Sequence, residues 1–88
     1  PAFFALVVEA LADAGVMYGL PRQTAYDLAA QAMAGSGKML LETGMHPGQL
    51  KDMVCSPRGT TIAGVAAMEE KGARTALIEA VKAAMARY

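Results

Sequence analysis

Apolar residues recur at helical spacing along almost the whole chain, and the charges between them fall where the outer faces of helices would lie. The first segment, Ala2–Tyr18, is apolar on nearly every side apart from Glu9 and Asp13. A helix of that kind is expected to be buried all round. Gly19-Leu20-Pro21 then reads as a stop followed by a start, with glycine just past one helix and proline at the first turn of the next. The second helix is predicted over Arg22–Thr43. Ala25, Leu28, Ala29, Ala32, Met33, Met39 and Leu40 share one broad face, and Asp27, Gln31, Lys38 and Glu42 the other. Gly35-Ser36-Gly37 interrupts this pattern, and each glycine costs about 1 kcal/mol relative to alanine. Either the helix breaks there or the small residues admit a neighbouring helix. The periodicity resumes in phase at Met39, which predicts a continuous helix.

Thr43-Gly44 ends that element, and His46-Pro47 opens a short helix over Pro47–Val54. Residues 55–59 read as loop. A fourth helix is predicted over Thr60–Lys71, capped by Gly72. Its stretch from Ile62 to Met68 has no charge, which predicts a central position. The last helix, Ala73–Tyr88, is amphipathic. Ala73, Ala76, Leu77, Ala80, Val81, Ala84 and Tyr88 are expected inside, and Arg74, Glu79, Lys82 and Arg87 outside. Met17, Tyr18 and Tyr26 are expected to pack between helices. Few β-branched runs and many alanines predict an all-α fold, a single helical domain of about five helices spanning residues 1–88. The first helix opens without an N-cap residue, which reads as a domain cut from a longer chain.

Composition adds a partner to this picture. About 61% of the residues are apolar once glycine is counted and tyrosine left out, against roughly 45–50% in ordinary soluble domains. A chain of 88 residues cannot hide that much apolar surface alone, so an oligomer is expected. A membrane span is the competing outlet. The uncharged stretches Leu28–Gly37 and Gly59–Met68 fall well short of the roughly 20 residues it needs. Eight basic residues offset eight acidic ones, leaving no cationic field for a nucleic-acid backbone. The single cysteine, Cys55, permits no internal disulfide and fits a reducing, cytoplasmic compartment.

Chemistry converges in one place, Cys55-Ser56-Pro57-Arg58-Gly59-Thr60-Thr61. Proline directs the chain and Gly59 leaves the backbone uncovered. Thr60 and Thr61 then enter a helix whose first N–H groups have no intrahelical acceptor. Free N–H groups, the positive end of the dipole and nearby hydroxyls suit a small anion such as a carboxylate. The same residues also serve ordinary helix starts, and taken alone the segment favours that bland reading. The other candidates are weaker. Glu9 and Asp13 lack any second acidic or metal-ligand cluster and read as solvating groups. His46 reads as a turn residue, Cys55 as a small filler, and the seven methionines as packing. No metal site is expected.

The segment Asp52-x-Val54-x-Ser56-Pro57-x-Gly59-Thr60-Thr61-Ile62-Ala63-Gly64 resembles the signature of pyrroline-5-carboxylate reductases. The opening Pro1-Ala2, the run Glu9-Ala10-Leu11-Ala12-Asp13-Ala14-Gly15-Val16 and Gly19-Leu20-Pro21-Arg22 are similar to the start of that family's C-terminal domain. Lys38 to Glu42, His46 to Asp52, and the Glu69–Gly72 turn leading into Ala80-Val81 extend the likeness over essentially the whole chain. The resemblance implies reduction of 1-pyrroline-5-carboxylate to L-proline, the last step of proline biosynthesis. NADPH or NADH would be bound mainly by an N-terminal Rossmann domain absent from these residues, with no cofactor expected on this part. It implies a helical domain intertwined with its twin in a homodimer, with oligomers of dimers left open. It also implies a small-molecule substrate whose carboxylate is received by Ser56, Gly59 and Thr60, while the Thr61 hydroxyl approaches the ring nitrogen as the catalytic contact.

Two residues depart from the family's usual pattern. Glycine is usual where this chain has Arg58. A φ above zero there would strain an arginine, whereas a φ below zero would leave it to reach the carboxylate or face water. Cys55 replaces a small hydroxyl residue or alanine. Two other readings fit parts of the sequence. One is a non-catalytic homodimerisation module of a reductase paralogue, toward which Arg58 leans. The other is a helix-turn-helix DNA module, which lacks a cationic recognition face.

Overall fold

The computed structural model describes all 88 residues and consists of five helices with no strand. These are α1 (Ala2–Met17), α2 (Arg22–Thr43), α3 (Pro47–Met53), α4 (Thr60–Glu70) and α5 (Ala73–Ala86). The expected boundaries hold to within two residues, the ordinary extent of end fraying. The α2 helix runs unbroken through Gly35-Ser36-Gly37, where the Ser36 hydroxyl donates to the Ala32 carbonyl at 2.8 Å. A Cβ added at Gly35 or Gly37 would meet no atom within 4 Å. No neighbouring helix of this chain therefore accounts for those glycines.

Backbone contacts divide the chain into two units, Pro1–Met45 and His46–Tyr88. The first is a hairpin of α1 and α2. Gly19 sits at φ +102, the Gly19 N–H donates to the Val16 carbonyl and the Leu20 N–H donates to the Gly15 carbonyl, both at 3.0 Å. This is a Schellman stop, with the Leu20 side chain lying over Gly15. A Cβ at Gly15 would lie 3.1 Å from the Leu20 Cδ1 and 3.3 Å from the Ala25 Cβ, so glycine lets the turn fold back against the helix. The only buried residues of the chain lie in this hairpin, and all are alanines: Ala12, Ala25 and Ala29. An ion pair between Asp13 and Arg22 spans the turn, and the Arg22 guanidinium lies 5.6 Å from the Tyr26 ring centroid.

The second unit holds α3, α4 and α5. Gly72, at φ +83, ends α4 by donating its N–H to the Glu69 carbonyl at 3.1 Å. Its own carbonyl accepts from the Ala76 N–H at 2.8 Å and starts α5. No residue of α3, α4 or α5 is buried.

Several burial expectations fail within the single chain. The α1 helix is not buried all round: Phe3, Phe4, Leu6, Leu11 and Met17 are exposed. The α4 helix is not central, with Ile62 and Met68 open to solvent. On α5, Leu77 and Val81 are exposed, as is Tyr88 beyond it. Met17 and Tyr18 are 81% and 92% exposed rather than packed between helices. The cause is common to all of them. Helical periodicity tells which face is apolar but not which molecule covers it. No helix is long and apolar enough to cross a membrane.

Candidate functional site

The loop before α4 is a tight turn. The Gly59 N–H donates to the Ser56 carbonyl at 3.0 Å, closing Ser56-Pro57-Arg58-Gly59. Proline second and a left-handed residue third is the type II pattern, and that third position normally calls for glycine. Arg58 occupies it at φ +59 and is the only non-glycine residue of the chain with positive φ. It takes part in none of the chain's ion pairs. Gly59 itself is extended, at φ −79 and ψ 172, so its backbone angles would suit any residue. Space is what requires glycine: a Cβ there would run into the Ser56 hydroxyl and come within 3.1 Å of the Ser56 carbonyl oxygen.

Gly59 is also the N-cap of α4, which has no side-chain cap and no acidic residue in its first turn. Open N–H groups do not by themselves single out α4, because α1, α2 and α5 also start without a side-chain cap. The distinguishing feature is the set of hydroxyls on Ser56, Thr60 and Thr61. None of them takes part in the side-chain hydrogen bonds of the chain. Ser56, Thr60 and Thr61 are exposed and Gly59 half-buried. The structure thus gathers all four expected site residues at one helix start. It changes the part of one of them, since the Gly59 N–H is already spent within the turn. Glycine leaves room there, and the free donors are the Thr60 and Thr61 N–H groups with the hydroxyls.

The other candidates resolve simply. His46 caps α3, its Nδ1 accepting from the Gly48 N–H at 2.9 Å. That ring nitrogen carries a lone pair, and the residue is a turn element as expected. Cys55 is half-buried and free. Asp13 pairs with Arg22, not with Glu9, and this hydrogen bond holds the exposed guanidinium above its usual pKa. No group of three or more His, Cys, Asp or Glu residues could hold a metal ion.

One charged feature escaped the sequence reading. Within the second unit a groove is lined by His46, Lys51, Ile62, Val65, Glu69 and Arg74. Arg74 Nε donates to both Glu69 carboxylate oxygens at 3.3 Å, and Lys51 pairs with Asp52 at 2.8 Å. The hydrogen bond to Asp52 raises the Lys51 pKa. These groups come from three helices, and no spacing along one sequence registers such a meeting.

The fold and this loop define an all-α domain whose fourth helix starts without a side-chain cap beside three uncommitted hydroxyls. All of residues 1–88 match the family described as pyrroline-5-carboxylate reductase dimerisation, and the chain belongs to it. It is 60% identical over 85 residues to the pyrroline-5-carboxylate reductase of Escherichia coli K12, covering 97% of this chain and 32% of that protein. The Synechocystis enzyme of the same name is 56% identical over 87 residues, covering 99% and 33%. The chain therefore spans about a third of the length of these relatives. Among solved structures, the reductase of Streptococcus pyogenes aligns with a TM-score of 0.96 at 34% identity, covering 99% of this chain and 34% of that one. The Plasmodium falciparum pyrroline carboxylate reductase, with NADP bound, aligns with a TM-score of 0.94 at 36% identity, covering 99% and 33%.

Proposed function

We propose that these residues form the dimer-building and substrate-carboxylate part of an enzyme that reduces 1-pyrroline-5-carboxylate to L-proline with NAD(P)H. The observation that carries this reading is the uncapped start of α4, flanked by three uncommitted hydroxyls, in a chain that matches the family from end to end. The Thr60 and Thr61 N–H groups and the Ser56 hydroxyl receive the substrate carboxylate, in the field of the helix's positive end. Gly59 keeps the Ser56 hydroxyl free to turn toward it. Hydride addition to the ring C=N carbon moves the double-bond electrons onto nitrogen. There the Thr61 hydroxyl donates a hydrogen bond that strengthens as the electrons arrive, and a proton from solvent, passed through that hydroxyl, completes the secondary amine.

NAD(P)H supplies the hydride when bound. The five helices offer no strand–glycine turn–helix cradle for its pyrophosphate, so this reading assigns the nucleotide to a part of the protein outside these residues. A second copy of the chain is the expected partner, as the family description supports. The lone cysteine fits a cytoplasmic place for the enzyme.

Steady-state kinetics of the full-length protein test the assignment. Ser56→Ala removes one donor to a charged group, about 1.5–3 kcal/mol, and raises KM roughly tenfold or more. Thr61→Val leaves KM nearly unchanged and lowers kcat. Wild-type protein without turnover on 1-pyrroline-5-carboxylate, or both variants with wild-type constants, would sink the reading.

A further inference from the structure

We infer that Arg58 is a further carboxylate-binding residue, a cation held beside the start of α4 to complete the seat for an anionic substrate. The inference deepens the function proposed above, by adding a charge to its anion seat, and rests on that reading. Five of the eight basic residues are committed to acidic partners: Arg22 to Asp13, Lys38 to Glu42, Lys51 to Asp52, Arg74 to Glu69 and Lys82 to Glu79. Lys71 and Arg87 have no such partner, but they are the C-caps of α4 and α5, where the negative end of a helix dipole favours a cation. Arg58 is left, and it stands at the opposite end of a helix.

Two separate effects oppose an arginine there. Its φ of +59 places an L side chain in the left-handed region. It also lies two residues before Thr60, the first residue of α4, so its charge is close to the positive end of that helix's dipole. Nothing within the chain compensates for either. Arg58 is exposed, and it enters no ion pair and no side-chain hydrogen bond. Backbone strain without a compensating contact collects at sites of binding and catalysis.

A carboxylate at the α4 start removes the electrostatic conflict. With an anion on the Thr60 and Thr61 N–H groups, the dipole and the guanidinium share one negative charge instead of repelling each other. The Cα atoms of Arg58 and Thr60 stand at most about 7 Å apart, within reach of an arginine side chain. The turn itself is firm, closed by the Gly59 N–H on the Ser56 carbonyl at 3.0 Å and stiffened by Pro57. Arg58 therefore carries its charge on a fixed support beside the Ser56 hydroxyl. Ser56, Thr60 and Thr61 are exposed in the chain, so water and salt screen the attraction, and its effect is modest and dependent on ionic strength.

Variants of the full-length protein test this. Arg58→Asn removes the charge and keeps a residue that tolerates the left-handed region, whereas Arg58→Lys keeps the charge. Arg58→Asn is expected to raise KM for 1-pyrroline-5-carboxylate about three- to fivefold at low salt, with kcat unchanged, and to flatten the rise of KM with added salt. Arg58→Lys stays within about twofold of wild type. Binding is read without turnover from the rise in melting temperature on adding L-proline, which is smaller for Arg58→Asn than for Arg58→Lys. An unchanged KM in Arg58→Asn, or an equal rise in both variants, overturns the inference. Ser56→Ala separates this failure from failure of the reading beneath it. If Ser56→Ala raises KM and Arg58→Asn does not, the seat stands and Arg58 has no part in it. If neither does, the seat itself is wrong and the inference falls with it.

Discussion

Arg58 occupies the third position of the Ser56–Gly59 turn, in the left-handed region where an L side chain costs about 1–2 kcal/mol. Glycine would remove that strain and return part of the gain as greater freedom of the unfolded chain. Arg58→Gly is therefore expected to stabilise by about 0.5 kcal/mol, read as a higher urea midpoint at unchanged slope. A lower midpoint would mean that the guanidinium makes contacts worth more than the strain. The need for glycine at Gly59 has a different origin. The sequence reading gave Gly59 an open backbone, whereas the structure shows a close approach of Ser56. A residue's type was legible in the sequence; the atom that made it necessary was not. Arg58 shows the same limit, because Pro57 at the second position allows either turn type and only the φ of +59 in the folded chain decides between them.

The helices themselves were largely legible. Gly19 and Gly72 are left-handed stops, His46 and Pro47 open α3, and the in-phase recurrence at Met39 carried α2 through its glycines. These are local devices, decided within a turn or two of chain, so one sequence suffices to find them. What covers each helix is a tertiary fact, and within one chain the faces expected inside on α1, α4 and α5 are exposed. Gly35 makes the distinction measurable. In the chain alone a Cβ at Gly35 meets open space, so Gly35→Ala is expected to raise stability by about 1 kcal/mol through helix propensity. A fall in stability, with weaker pairing in sedimentation, would instead mark Gly35 as a point where a second chain approaches closely.

At the scale of the whole molecule, the chain spans about a third of the enzymes it resembles, and the proposed function assigns it a share of the work, not the whole. The 88-residue chain alone is expected to oxidise no NADPH in the presence of 1-pyrroline-5-carboxylate. The nicotinamide absorbance reports this directly, and measurable turnover would show that the division of labour is wrong. Family membership was within reach of the sequence because matching motifs recur along its whole length, from Pro1-Ala2 to the last helix. The groove of Lys51, Glu69 and Arg74 was not, because its members meet only after three helices have packed.

The Schellman turn at Gly19 has a kinetic consequence. The hairpin it closes is assembled from neighbours in sequence, and helix and short-loop closure of this sort takes about a microsecond or less. An alanine seam formed that early is also easily lost, since it buries so little. Hairpins would form and dissolve many times before two chains collide. Encounter, not local folding, then sets the pace, and the folding rate should follow protein concentration. A newly made chain is most exposed to aggregation in that interval, with its apolar faces already presented and no twin yet at hand.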